Sequence, residues 1–258
     1  ENAEYLSDVN INIQERKAEI FKDGKTGTYI RIRNLSTNWT RGMLRNLHRS
    51  LTALNSPFDS NQSFKVVLKT DKLEWLEGLI SFKDIKEYAL FECDMKLEKN
   101  EITKFEYNFR PYDVMYGISK RKVVFDKTVI MRKRVNKNGK NDFEDINLSK
   151  YEIGDIRIKI YAFDRDSSIL NNFIPDKAAF KNYLDENGGI SVFRDGMRIL
   201  DYGEPDNDWL GLDLKRVNAP TKNLSNNIIL GAVYLDRDNS GDLKEKANRE
   251  GFIEDQAY

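Results

Sequence analysis

The chain has 258 residues, 40% hydrophobic and 33% charged, and its 42 Lys plus Arg balance 42 Asp plus Glu to a formal net charge of zero. Its 12 Tyr, 14 Phe and 3 Trp supply the large apolar side chains that one or two soluble folded domains need, and the composition is far from that of a disordered chain. The single histidine, His48, and single cysteine, Cys93, exclude an internal disulfide, a His/Cys zinc cage and a dithiol redox pair, and leave His48 as the one base for any Ser/His/Asp triad.

The opening residues ENAEYLSDVN lack an initiator methionine and the apolar run of a secretory signal, which reads as an excised fragment or a processed product. No window has the length and apolarity of a membrane span, so no membrane partner is expected. The Asn-x-Ser/Thr sequons at Asn34 and Asn147 read as chance matches in a cytoplasmic, reducing compartment.

Residues 11–35 predict a strand pair, with a turn at Lys22 to Thr28 and alternation through Tyr29, Ile30, Arg31, Ile32 and Arg33. The capping residues Ser36, Thr37 and Asn38 then precede an apolar stripe at helical spacing, Trp39, Met43, Leu44, Leu47, Leu51 and Leu54, which Pro57 ends. Arg41, Arg45, His48 and Arg49 fall on the opposite side, where a solvated surface competes with a binding site. From Phe64 to Arg110 strands are expected, carried by Phe64, Val66 and Leu68 and by Ile102, Phe105, Tyr107 and Phe109, with a short helix between Leu73 and Ile85.

Lys120 to Lys140 holds the strongest basic cluster, including Lys120, Arg121, Lys122, Arg132, Lys133 and Arg134, with Asp126 its only acid. Interleaved Val123, Val124, Phe125, Val129 and Ile130 suggest a strand with a hairpin tip at Asn138-Gly139. Two readings compete: a solvated edge that blocks strand pairing, and a DNA contact. The last hundred residues predict a strand at Ile156 to Phe163, a helix from Pro175 to Asp185, a Gly188-Gly189 stop, and strands Ile190–Phe193 and Met197–Leu200 about the turn Arg194-Asp195-Gly196. A buried strand, Ile228 to Leu235, and a turn or short helix at Asp242 to Arg249 complete an α+β sheet domain.

Asp236, Asp238, Ser240, Gly241 and Asp242 alternate oxygen ligands about a glycine as a calcium loop does, but Lys244 and Ala247 stand where further ligands belong. A charged turn closing a buried strand explains both this segment and Asp164-Arg165-Asp166-Ser167. Gly24-Lys25-Thr26-Gly27 lacks the strand and glycine spacing of a phosphate cradle, and no pair of carboxylates is singled out for hydrolysis. No metal site is therefore expected. After the last strand come Lys244, Lys246, Asn248, Arg249, Glu250, Gly251 and Phe252, a cation-bearing loop that suits either a plain surface or a phosphate supplied by another domain.

Four stretches carry a resemblance. They are Gly27-Thr28-Tyr29-Ile30-Arg31-Ile32 with Leu35 and Trp39-Thr40; Leu51 to Phe58, ending Ser56-Pro57-Phe58; Asn187 to Gly203, NGGISVFRDGMRILDYG; and Leu224 to Phe252, with LSNN and NREGF. Together they resemble the region downstream of the nucleotide pocket in bacterial ATPases of the gyrase, heat-shock-chaperone, histidine-kinase and mismatch-repair (GHKL) superfamily, particularly those similar to microrchidia (MORC) proteins. The resemblance implies that residues 1–35 are the terminal strands of an ATPase domain and 36–60 a linking helix. It further implies that 61–258 form a transducer domain with a ribosomal-small-subunit-protein-five-like fold, divided into a strand-rich part, 61–150, and a strand-helix-strand core, 151–258.

It also implies that a transducer cation reaches the ATP γ-phosphate and couples nucleotide state to closure of a dimer. Arg249 is the first choice for that contact, with Lys246 in reserve and Asn248 beside them. The motifs that bind adenine, magnesium and the attacking water lie upstream in that family and are not found in this sequence. The expectation is thus a chain that is not an enzyme by itself, with ATP and magnesium held by a preceding ATPase domain. The alternative is a nucleic-acid-binding module using residues 120–140 and Arg41, Arg45 and Arg49.

Overall fold

A computed structural model of the chain describes residues 29–59, 66–125, 127–137, 140–146, 148–219, 223–248 and 250–258. Two compact units divide the chain, Glu1–Trp39 and Thr40–Tyr258. In the first, residues 29–39 carry no strand, and Tyr29, Ile30, Ile32 and Leu35 are exposed. The alternation over 29–33 thus finds no ladder partner among the described residues. The other half of the expected strand pair, with Gly27-Thr28, lies outside them.

The second unit is α+β. Its strands are β1 (Phe91–Glu98), β2 (Glu101–Phe109), β3 (Arg121–Phe125), β4 (Val129–Ile130), β5 (Arg132–Lys137), β6 (Lys140–Asp145), β7 (Ile156–Ala162), β8 (Gly189–Arg194), β9 (Met197–Ile199) and β10 (Ile229–Leu235). Its α-helices are α1 (Arg41–Ala53), α2 (Phe82–Ile85), α3 (Ser167–Phe173), α4 (Lys177–Asn187) and α5 (Leu212–Asn218). Eight strands make one sheet in the order β3-β2-β1-β7-β10-β8-β9, with β4 also on β2, while β5 and β6 pair with each other. The sheet is mixed, because β10 runs parallel to β8 and antiparallel to β7. The expected strand-helix-strand-turn-strand unit is β7 to β9, and β10 enters between its first two strands.

Side chains alternate across this sheet with period two. Tyr161 and Leu230 face one side, where Phe82, Ile85, Leu170, Ile174, Phe180 and Leu184 of α2, α3, α4 and their flanks close a core. Ile190, Val192, Ile229 and Leu235 face the other, covered by Trp209 and Leu210, by Tyr202, and by Leu243 and Phe252 from the C-terminal segment. The same alternation sorts β1 and β2. Glu92 accepts from the Tyr161 hydroxyl at 3.0 Å and Asp94 meets Lys104 at 3.2 Å, while on the opposite face Phe91 stacks on Phe109 at 4.9 Å.

Several expectations need correction. Helix α1 starts at Arg41, capped by Thr40, whose Oγ1 accepts from the Met43 amide at 3.3 Å, so the Ser36–Asn38 cluster is not the cap. The expected helix from Leu73 to Ile85 is a 3₁₀ turn, Leu73–Leu76, and the one-turn α2, interrupted by Gly78 at φ 78°. Residues 66–70 are not a strand, and Phe64 lies outside the described residues. The segment expected as one helix from Pro175 follows a separate helix, α3, which Asp166 caps by accepting from Ser168 N at 2.8 Å.

Candidate functional site

The loop after β10 is built on one buried guanidinium. Arg194 closes β8 at 8% exposure, and its Nη1 donates to Leu243 O at 2.8 Å and Glu245 Oε1 at 3.1 Å. Its Nη2 donates to Ser240 O at 2.5 Å and Ser240 Oγ at 2.9 Å. The planar fork thus ties four acceptors from three residues to the end of the sheet. The type of turn that frees Arg194 for this role follows from Asp195 and Gly196, at φ 51° and 80°, which suit a tight hairpin. Asp195 itself accepts from Arg237 N at 3.0 Å and so joins the two loops.

The oxygens that suggested calcium serve this scaffold. Asp236 Oδ1 accepts from Asp238 N at 2.8 Å, Ser240 Oγ donates to Asp236 O, and Asp242 Oδ2 accepts from Glu152 N at 2.9 Å. Among the described residues no group of three or more His, Cys, Asp or Glu is placed to hold a metal ion. Carboxylates that accept from nearby amides close a turn, as the charged-turn reading expects.

Beyond the anchor the chain doubles back. Glu245 bridges Phe252, Lys246 N donates to Gly251 O at 3.0 Å, and Ile253 N donates to Lys244 O at 2.8 Å. Phe252, at 4% exposure, donates its amide to Tyr202 Oη at 3.0 Å and fills the core beneath. The expected turn or short helix at 242–249 is this bridged turn. Lys244 at its base and Lys246 and Asn248 toward its tip are exposed, with Asn248 Oδ1 accepting from Glu250 N at 3.1 Å. Arg249 lies outside the described residues. The arrangement holds two ammonium groups in solvent on a backbone paired on both sides of the turn.

The basic segment is split rather than continuous. Arg121 and Lys122 lie on β3, an outer strand of the large sheet, where Lys122 Nζ meets Glu106 at 2.8 Å, and Lys120 precedes it, exposed. Arg132, Lys133 and Arg134 lie on β5, where Arg132 Nε meets Asp145 at 2.8 Å and Lys133 meets Glu144 at 3.7 Å across the hairpin. The hairpin tip, Asn138-Gly139, lies outside the described residues. Counting charge along 120–140 missed β6, whose Asp145 and Glu144 oppose Arg132 and Lys133 one strand later.

The arginine side of α1 also differs from a solvated face. Arg45 donates to Trp75 O at 2.8 Å and Glu77 O at 2.6 Å, Arg41 to Trp75 O at 3.3 Å, and Arg49 to Glu186 O at 3.3 Å. It is a docking face for the 73–77 turn and for the end of α4. Cys93 offers no activated nucleophile, because burial and then Asp94 push its thiol above the ordinary range. Arg194 is the residue that sequence reasoning passed over. Its turn was legible, its four acceptors were not. No protein-family model, curated protein or solved structure matches the chain.

Proposed function

We propose that this chain is the transducer portion of a GHKL-type ATPase, in which a cation on the 244–249 loop senses the γ-phosphate of ATP held by a preceding domain and relays closure of a dimer. The observation that supports this reading is the exposed cationic turn that Arg194 and Phe252 hold at the end of a mixed sheet. An α+β sheet packed by helices is the class of fold the resemblance implies. The nucleic-acid reading is weaker, since Lys122, Arg132 and Lys133 already face carboxylates.

Two measurements test it. Calorimetric titration of the chain with a non-hydrolysable ATP analogue and magnesium should show no heat, and micromolar binding would overturn the reading. In the longer protein so proposed, replacing Lys246 and Arg249 together by Ala should lower turnover about a hundredfold. Unchanged turnover would remove the phosphate role from this loop.

A further inference from the structure

One face of the large sheet is covered over only part of its width. Strand register puts Cys93 and Met95 of β1, Tyr107 and Phe105 of β2, Phe125 of β3 and Ile158 of β7 on the face that, further along, carries Val192 and Ile229. Over β8 and β10 this face lies beneath Tyr202, Trp209 and Leu210. Over β3, β2, β1 and β7 it is open: none of those six side chains is buried, none belongs to a hydrophobic core of the described residues, and Phe125 is 47% exposed.

Charge is kept off the open part. Asp94, Lys104, Glu106 and Lys122 alternate to the opposite face and pair there, Asp94 with Lys104 and Glu106 with Lys122. On these four strands register leaves one charged residue on the open face, Arg121, at its corner opposite Phe109. Four strands at about 4.8 Å spacing, over the span Phe91 to Leu97 at about 3.4 Å per residue, cover about 450 Å² in plane. A specific interface needs about 1,000 Å² summed over both partners, so this patch reaches that scale when the partner brings an equal one.

We propose that two copies of the chain pack these open faces together about a two-fold axis, without need of nucleotide, as a reversible dimer. An isologous contact uses the same patch twice and so supplies the apolar, uncharged partner of equal size that the patch requires. Two twisted sheets stack face to face about 10 Å apart with strands within about 30° of each other, as in the core of a β-sandwich. The formal net charge of zero leaves no long-range repulsion between copies. None of the residues 244–249 takes part, so the dimer stands or falls independently of the transducer reading.

Sedimentation velocity of the whole chain without nucleotide, from about 1 to about 200 μM, should show monomer giving way to dimer, as an interface at the lower end of specific sizes requires. Met95→Lys in the middle of the face and Phe125→Lys at its margin should each weaken dimerisation at least about tenfold. Val124→Lys, at a position 57% exposed on the opposite face of β3, should leave it unchanged. Cys93, the one cysteine of the sequence, reports the same contact in the unaltered chain, and its alkylation by iodoacetamide should slow as the dimer fills. A chain that stays monomeric over this range would overturn the proposal and assign the face to an apolar partner of another kind. A dimer that Met95→Lys and Phe125→Lys leave intact, that Val124→Lys weakens equally, or in which Cys93 reacts as fast as in the monomer would place the contact elsewhere and overturn it too.

Discussion

At the scale of single residues, burial turns charge into scaffolding. Removing Arg194 while its acceptors stay buried leaves the hydroxyl oxygen of Ser240, a residue at 0% exposure, and the carbonyl of Leu243 without the donor they have, while Ser240 O keeps only the Leu243 amide at 3.1 Å. Breaking a buried ionic cluster from one side costs more than the cluster contributes, because the remaining partners keep their desolvation penalty. Arg194→Met should therefore lower stability by about 3 kcal/mol, read from urea unfolding. Amides of the 237–253 loop should exchange with solvent faster than those of β7. A variant with unchanged midpoint and protection would show that Phe252 packing alone holds the loop.

The same residue shows why the site was only partly legible. Arg194 reaches acceptors 46 to 51 positions away along the chain, and no local pattern reports a carbonyl at that range. The arginines of α1 fail for the same reason, since their acceptors are carbonyls of the 75–77 turn and of Glu186. A helical wheel assigns such a face to solvent, where charge normally goes.

At the scale of elements, local chemistry predicted what local chemistry controls. The β8–β9 hairpin follows from its Asp195-Gly196 turn, and β10 from an uninterrupted apolar run that suits a strand buried on both faces. The place of β10 between β7 and β8 is a long-range choice with no local mark. Helix α3 was missed because only Ile169 and Leu170 are buried in it, too few for a periodic signal, and its Asp166 cap reads equally as a turn.

The segment returning from β9 depends on one position. Gly203 sits at φ 73°, and a Cβ there would lie 2.6 Å from the Ile190 carbonyl carbon and the Ser191 amide nitrogen of β8. Neither atom can retreat without breaking the β8–β10 ladder. Gly203→Ala should thus cost more than about 2 kcal/mol, combining left-handed backbone strain with overlap, and should lower the thermal midpoint. A midpoint equal to that of the parent chain would mean that this segment can detach from β8 without consequence for the core.

At the scale of the whole molecule, zero net charge hides a local order: cations and acids are matched strand by strand, as in Lys104 with Asp94, Lys122 with Glu106 and Arg132 with Asp145. Exposed pairs of this kind contribute little stability, so the hairpin that carries the last of them should be dispensable. Strands β5 and β6 form their own two-stranded sheet, and among the described residues no buried hydrophobic side chain lies between 132 and 145. Its base is closed where Ile146 N donates to Met131 O at 3.0 Å, and Met131 N is held by Asn100 O at 2.9 Å. The two ends are therefore already adjacent, and an Asn-Gly turn can join Met131 to Ile146 in place of the hairpin. That deletion should change the unfolding free energy by about 1 kcal/mol or less, measured in urea. The same variant also tests the hairpin as a DNA contact, because phosphate-driven affinity at low salt would fall with the loss of Arg132, Lys133 and Arg134. Loss of cooperative unfolding would show instead that the hairpin is part of the folding unit, and its charge pairs would then have to be counted with the core.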